Sequence, residues 1–213
     1  MTFGTVHSVT RDAGRRDVRR WVMWAYAFAA DPGADVPAQA DAPTDSALVR
    51  RAQSGSREAA AALFARHWPQ ARRAALAVTG SDAAADDVAQ DAFERAFAAL
   101  SRFDASRPFG PWLHRIVVNR AIDLARRDRR LVRLDRAPLE ALTAWEADSA
   151  GDPAVLEALA GLSPERRAVI VLRHLLDYRP PEIAEILGIP VGTVNSRLGR
   201  ALDDMRDRLG ERP

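Results

Sequence analysis

Residues 180–209 read PPEIAEILGIPVGTVNSRLGRALDDMRDRL, and two apolar series with a break between them decide the architecture. Ile183, Ala184, Ile186 and Leu187 recur at helical spacing; Val194, Leu198, Ala201, Leu202, Met205 and Leu209 form the second series. Gly188 interrupts them. A glycine there supplies the left-handed backbone that ends a helix, and so short a connection makes the next helix cross at a steep angle, as in a helix-turn-helix. Off the second stripe, near its N-terminal end, lie Thr193, Asn195, Ser196, Arg197 and Arg200. A helix set in a DNA major groove uses its N-terminal residues against base edges, and these side chains can donate or accept hydrogen bonds there. The competing reading is a solvated face on one helix of an ordinary bundle.

The chain before this unit supplies the context. Ser163 is an N-cap and Pro164 a first helical residue, which predicts a helix over Glu165–Leu176 with Ala168, Val169, Val171, Leu172, Leu175 and Leu176 inward. Val155–Leu162 opens this domain. From Leu131 to Pro153 periodicity fades and Asp135, Glu140, Glu146, Asp148 and Asp152 mix with Pro138, Gly151 and Pro153, the composition of a flexible linker.

Upstream of the linker a helix is predicted from Trp112 to about Arg130. Leu113, Ile116, Val117, Ala121 and Leu124 form its core side; Arg115, Asn119, Arg120, Asp123, Arg126 and Arg127 form its polar side. The loop before it, Ser101–Pro111, holds Phe103 and Phe109 among Arg102 and Arg107. Aromatics beside arginine suit unstacked bases, with stacking worth on the order of 1–3 kcal/mol per base. The alternative is that Trp112 and the two phenylalanines close the core beneath the loop, and for Trp112 the two readings stand level.

A further helix, about Asp82–Leu100, has an apolar stripe of Ala89, Phe93, Ala96, Phe97 and Leu100 and an acidic ridge of Asp86, Asp87, Gln90, Asp91 and Glu94. Acids in a first turn complement the helix dipole, which accounts for Asp86 and Asp87 but less well for the others. The ridge cannot face phosphates; it suits a basic protein surface. Before it, order is expected from Asp45, with Leu48, Val49 and Ala52 on one stripe, Gly55 as a break, and Ala59–Val78 as a helix that Pro69 should kink or interrupt. Residues 1–44 join an Arg-rich stretch and the apolar run Trp21–Ala30 to a Pro-, Ala- and Asp-rich segment. A signal segment, a short docking helix and a non-native extension compete there, and the last two fit the rest of the chain better. The run is too short to span a bilayer.

Composition agrees with this outline and excludes several classes. In 213 residues, 47% are apolar and 7% aromatic, and the apolar residues follow helical periods, so the fold class is all-α. All 31 basic residues are arginine, giving a net charge of +2. Arginine suits phosphate and guanine through its planar fork, although a GC-rich genome would favour it as well. Absence of cysteine excludes disulfides and thiolate metal sites in this chain and fits a reducing compartment. His7, His67, His114 and His174 have no ligand spacing, so no metal is expected. No nucleophile with a paired base and no glycine-rich phosphate loop stands out, so neither an enzymatic activity, a cofactor nor a small-molecule substrate is expected.

Taken in order, these parts resemble a bacterial RNA polymerase sigma factor of the extracytoplasmic-function (ECF) type. The resemblance covers about Asp45–Leu209. It rests on DDVAQDAF at 86–93, PWLHRIVVNRAID at 111–123, LSPERR at 162–167, EIAEILGI at 182–189 and VGTVNSRL at 191–198. It implies two small helical domains: a region 2-like bundle at 45–130 and a region 4-like helix-turn-helix at 154–210, joined by a flexible linker at 131–153 and preceded by the extension 1–44. It also implies roles. Asp87, Gln90 and Asp91, within the ridge that includes Asp86 and Glu94, would grip the clamp helices of core RNA polymerase. The loop Arg102–Pro108, with Phe103 and Arg107, would capture a flipped base of the minus-10 element. Trp112, Arg115, Asn119, Arg120, Asp123, Arg126 and Arg127 would hold that strand. Val191, Thr193, Asn195, Ser196, Arg197 and Arg200 would read the minus-35 element in duplex form. Partners implied are core polymerase, promoter DNA and an anti-sigma factor, in the cytoplasm and without stable membrane insertion. The chain departs from the family pattern at Arg179-Pro180-Pro181, where a capping serine is usual, so a later helix start or a weaker cap is expected there. It departs again at Asn195, where lysine is common, and at Gly199, which should cost about 1 kcal/mol relative to alanine. The rival function is a stand-alone helix-turn-helix regulator, which leaves the acidic ridge and the Trp112 region unused.

Overall fold

A computed structural model of the chain describes residues 43–131 and 153–210, and these are helices joined by turns, with no strand among the described residues. Nearly all of the extension 1–44 and of the linker 131–153 lies outside them. The helices are α1 Asp45–Gln53, α2 Arg57–Thr79, α3 Asp82–Ala99, α4 Phe109–Leu131, α5 Pro153–Ala160, α6 Pro164–Ile170, α7 Pro180–Leu187 and α8 Val191–Gly210. Contacts group them into two units. One holds the described residues up to Trp68 together with Gln90–Gly110; the other holds Pro69–Ala89, Pro111–Leu131 and the C-terminal helices.

The first unit forms around aromatic side chains. Phe64 and Phe93 are fully buried with ring centroids 4.6 Å apart, Trp68 stacks on Phe64 at 5.0 Å, and Leu48, Val49, Leu63 and Phe109 are buried as well. Thr44 caps α1, accepting a hydrogen bond from the Ala47 amide, and Asp45 then ties α1 to α2. Its two carboxylate oxygens pair with Arg66 Nη1 at 2.7 Å and His67 Nε2 at 2.8 Å. The His67 hydrogen bond, against the opposing effect of burial and helped by Arg66, holds the Asp45 carboxyl below its usual range. A depressed carboxyl stabilises the fold above its ordinary pKa and loses that contribution as pH falls through the lowered value. For a partly exposed cluster this amounts to about 1 kcal/mol or less. Asp45→Asn should therefore lower stability at neutral pH, and in urea titrations the difference from wild type should shrink as pH falls below about 4 and vanish only below the lowered carboxyl value. A difference constant down to pH 2 would contradict this.

In the second unit, α8 packs on α5, α6 and α7. Its buried side chains include Leu113, Val117, Val118 and Ala121 of α4, Ala168–Leu172, and Ile183, Val194 and Ala201. Arg167 is buried too, donating to the carbonyls of Val78, Ala160 and Leu162 at 2.8, 2.6 and 3.3 Å. The Val78 and Ala160 carbonyls stand at the ends of α2 and α5, where the intrahelical ladder leaves acceptors without partners, and Leu162 lies in the turn after α5.

Several local expectations are corrected. Of the two outcomes expected at Pro69, the interruption is excluded: α2 runs on through it, with both flanks anchored, Leu63 and Phe64 before it and Ala71, Ala74 and Ala75 after it. The loop is shorter than Ser101–Pro111: Leu100–Arg102 is a 3-10 turn, and α4 starts at Phe109. That puts Pro111 in the first turn, where a missing N–H costs nothing. The buried stripe of α4 follows Leu113, Val117, Val118, Ala121, Ile122 and Ala125, leaving Ile116 and Leu124 half-buried. The helix begun at Pro164 ends as a π turn, Val171–Leu175, closed by Leu176 N–H bonding to the Val171 carbonyl. α7 starts at Pro180 and no later, since the Glu182 carboxylate accepts the Arg179 amide at 2.7 Å and replaces the missing serine cap. Leu202 and Leu209 are exposed, although they continue the apolar series of α8.

Candidate nucleic-acid interface

The turn between α7 and α8 is made as its sequence dictates. Gly188 is left-handed at φ 65°, Ile189 N–H bonds back to the Ala184 carbonyl, and the Pro190 carbonyl accepts Thr193 and Val194 N–H as α8 begins. Val194 and Ala201 are buried, which turns the opposite side of α8 outward. There Val191, Asn195, Ser196 and Arg200 are exposed and Thr193 and Arg197 half-buried, on the first three turns of a 20-residue helix. Ser196 Oγ donates to the Thr193 carbonyl at 3.0 Å. The arrangement presents hydrogen-bonding side chains at the N-terminal end of a rigid helix, the geometry required to reach base edges.

Gly199 lies on that outward side, and a methyl group added there meets nothing within 4 Å. Gly199→Ala should thus raise the free energy of unfolding by about 0.5–1 kcal/mol through helix propensity. Thermal melts of the free chain measure this; no gain in Tm would contradict it.

On α4 the outward row is Arg115, Asn119, Asp123, Arg126 and Arg127, all exposed, spaced so that they share one side of the helix. Trp112 and Arg120 are half-buried. Arg126 is already engaged: its Nε donates to Glu165, whose carboxyl lies below its ordinary range although burial opposes this, through its own backbone amide and Arg126. Glu165 was not read as a site residue from the sequence, where 39 positions separate it from Arg126 and no local signal joins them. His114 is buried, with Nδ1 2.7 Å from the Tyr178 hydroxyl. Burial, with the nearby Glu182 charge, pushes the Tyr178 phenol up to about 12.

The loop belongs to the other unit. Phe109 is fully buried and closes the core, which settles its reading; Phe103 is half-buried, edge-on to Phe109 at 6.0 Å. Arg102 and Arg107 point to solvent. Asp104 accepts the Ser106 amide at 2.9 Å and hydroxyl at 2.7 Å, which hold its carboxyl below the usual range, and Arg107 N–H bonds to the Asp104 carbonyl. This Asx turn shapes the backbone between the two arginines.

The acidic ridge on α3 is not uniformly available. Asp86 pairs with Arg72 at 2.6 Å, as does Asp82, and Asp91 pairs with Arg95 one turn on at 3.0 Å. Asp87 is exposed, and Gln90 and Glu94 are half-buried. Arg72 was not singled out in the sequence either. Among the described residues no group of three or more His, Asp or Glu gathers as metal ligands, and no helix is long and apolar enough to cross a membrane.

Comparison with known proteins fits this layout. Residues 63–131 match the family described as Sigma-70 region 2, and residues 153–205 match Sigma-70, region 4. ECF RNA polymerase sigma factor SigW of Bacillus subtilis is 31% identical over 76% of this chain and 94% of its own length. ECF RNA polymerase sigma factor SigM of Mycobacterium tuberculosis is 35% identical over 78% of this chain and 85% of its own. Among solved structures, that of CnrH in complex with the cytosolic domain of CnrY superposes with a TM-score of 0.62 at 34% identity, covering 79% of this chain and 99% of that one. With both sigma regions matched in order and relatives above 30% identity aligned over nearly their whole length, the chain belongs to the ECF RNA polymerase sigma factors, the subunits that direct transcription initiation.

Proposed function

We propose that this sigma factor divides promoter recognition between two domains, residues 45–130 and 154–210, joined by the linker 131–153. In the second, Val191, Thr193, Asn195, Ser196, Arg197 and Arg200 read the minus-35 duplex. In the first, the outward row of α4 with Trp112 and Arg120 holds the opened minus-10 strand, and the loop with Arg102, Phe103 and Arg107 takes one flipped base. Flipping costs a few kcal/mol in lost stacking, so a preformed receiving surface is required. Asp87, Gln90 and Asp91, flanked by Asp86 and Glu94, grip core polymerase. The observation that carries this reading is the pair of outward polar rows, Arg115 to Arg127 on α4 and Val191 to Arg200 on α8, each backed by a buried apolar stripe.

Two details follow. Arg126 reaches the strand only after leaving Glu165, and Asp86 meets polymerase only after leaving Arg72. CnrH is seen with the cytosolic domain of CnrY, and by that likeness a proteinaceous inhibitor, an anti-sigma factor, is expected to cover this chain too. The chain works where polymerase works, in the cytoplasm, and contributes no catalysis of its own. Gel filtration of the full chain with core polymerase, followed by run-off transcription, tests the reading: co-elution and initiation from a specific start site are expected. Binding to duplex DNA alone, with no effect on polymerase, would favour the stand-alone regulator.

A further inference from the structure

The first helix, α1, lies outside both matched sigma regions, the earlier of which begins at residue 63, yet it is built into the loop that follows α3. Gln53 spends both amide hydrogens on that loop: Nε2 donates to the Leu100 carbonyl at 2.9 Å and to the Phe103 carbonyl at 2.7 Å. With two carbonyls as neighbours, only the nitrogen end of the amide can face them. About two turns before it, Ser46 Oγ donates to the Ala105 carbonyl at 2.7 Å and accepts from Arg50 Nη1 at 2.7 Å, which fixes the direction of its own proton. Ser46, Arg50 and Gln53 follow one another at helical spacing along one side of α1, while Leu48 and Val49 anchor its other side in the core. The Asp45 cluster locks the helix at its start.

One acceptor, Leu100, opens the 3-10 turn that leads into the loop, and the other two, Phe103 and Ala105, lie on the loop itself. Between and beyond them the side chains of Arg102, Asp104, Ser106 and Arg107 remain exposed. A loop held by the backbone, with its side chains left outward, is ordered before its ligand arrives, and ordering it in advance removes that cost from binding.

We propose that Ser46 and Gln53 are positioning residues for minus-10 recognition: through three hydrogen bonds to the backbone, α1 sets the conformation in which the loop receives the flipped base. The proposal rests on the reading of Arg102–Pro108 as the capture loop. Neither residue touches DNA. Gln53→Glu preserves shape but places carboxylate oxygen against two carbonyls; Ser46→Ala removes the donor, and Ser46→Thr keeps it.

The test uses polymerase holoenzyme reconstituted with the full chain and a promoter mapped from its transcripts. The probe is single-stranded DNA covering the minus-10 segment, with each position randomised in turn and bound strands sequenced. Gln53→Glu and Ser46→Ala should reduce the base preference at one position at least fivefold, while Ser46→Thr retains it. Affinity for core polymerase and for a minus-35 duplex should stay within twofold. If both substitutions keep the preference while Arg102→Ala with Arg107→Ala abolishes it, α1 does not position the loop and the proposal is overturned, the loop reading intact. If the double loop variant leaves strand binding and preference unchanged, the loop reading itself falls and takes the proposal with it. A loss spread evenly over strand, duplex and core binding means that α1 merely maintains the fold, which also overturns the proposal.

Discussion

Arg167→Ala is expected to lower the free energy of unfolding by about 3 kcal/mol or more, since up to three carbonyls lose a charged donor and each such loss costs roughly 1–3 kcal/mol. The guanidinium of Arg167 is buried against the Val78 and Ala160 carbonyls, at ends of α2 and α5 where the helix supplies no partner, and against Leu162 in the turn that follows α5. Truncation of a buried side chain also opens a void, which adds a packing loss. Arg167→Lys keeps the charge, but a single ammonium lacks the fork that spans acceptors on two elements, so it should recover only part of the loss. Urea unfolding of the free chain measures both. A loss under 1 kcal/mol for alanine would show that water reaches these carbonyls and that Arg167 is not the fastener described.

The second large effect is on DNA. Arg197→Ala should weaken binding of the holoenzyme to a minus-35 duplex about 5- to 150-fold, the range for losing one good base contact of roughly 1–3 kcal/mol. Association with core polymerase should not change. Asp87→Ala combined with Gln90→Ala should do the reverse, weakening core association while the free chain keeps its fold and its duplex affinity. Asp87 is exposed on α3, whereas Arg197 sits in the second turn of α8, and the two have no shared element. Fluorescence anisotropy with labelled duplex, and competition for core polymerase against another sigma factor, read the two effects separately.

The helices were predictable where local chemistry determines them. Ser163-Pro164 gave a start, Gly188 gave a stop, and the apolar spacing of 183–201 gave the packing side of α7 and α8. Pro69 does not interrupt its helix, because anchoring on both sides of it outweighs a single missing hydrogen bond. Leu202 and Leu209 misled: helical spacing states which residues could face a core, not how far the core extends. The roles of Asp86 and Arg126 were incomplete for another reason. Their partners, Arg72 and Glu165, lie 14 and 39 residues away, and charge pairing over such distances leaves no periodic trace in a chain this rich in arginine and carboxylates. The same is true of Gln53 and Ser46, whose acceptors are backbone carbonyls of the loop and so carry no side-chain signature.

Footprinting of the polymerase complex on one mapped promoter, with DNase protection read upstream and permanganate reactivity read at the minus-10 element, addresses the claim that paired and parted strands are held by different parts of one chain. Arg197→Ala should lose the upstream protection yet still open and hold a template that is already mismatched at minus-10. Arg115→Ala with Asn119→Ala should keep the upstream protection and lose the permanganate signal. If either variant abolished both signals together on every template, the two grips would be one, and the account would be contradicted.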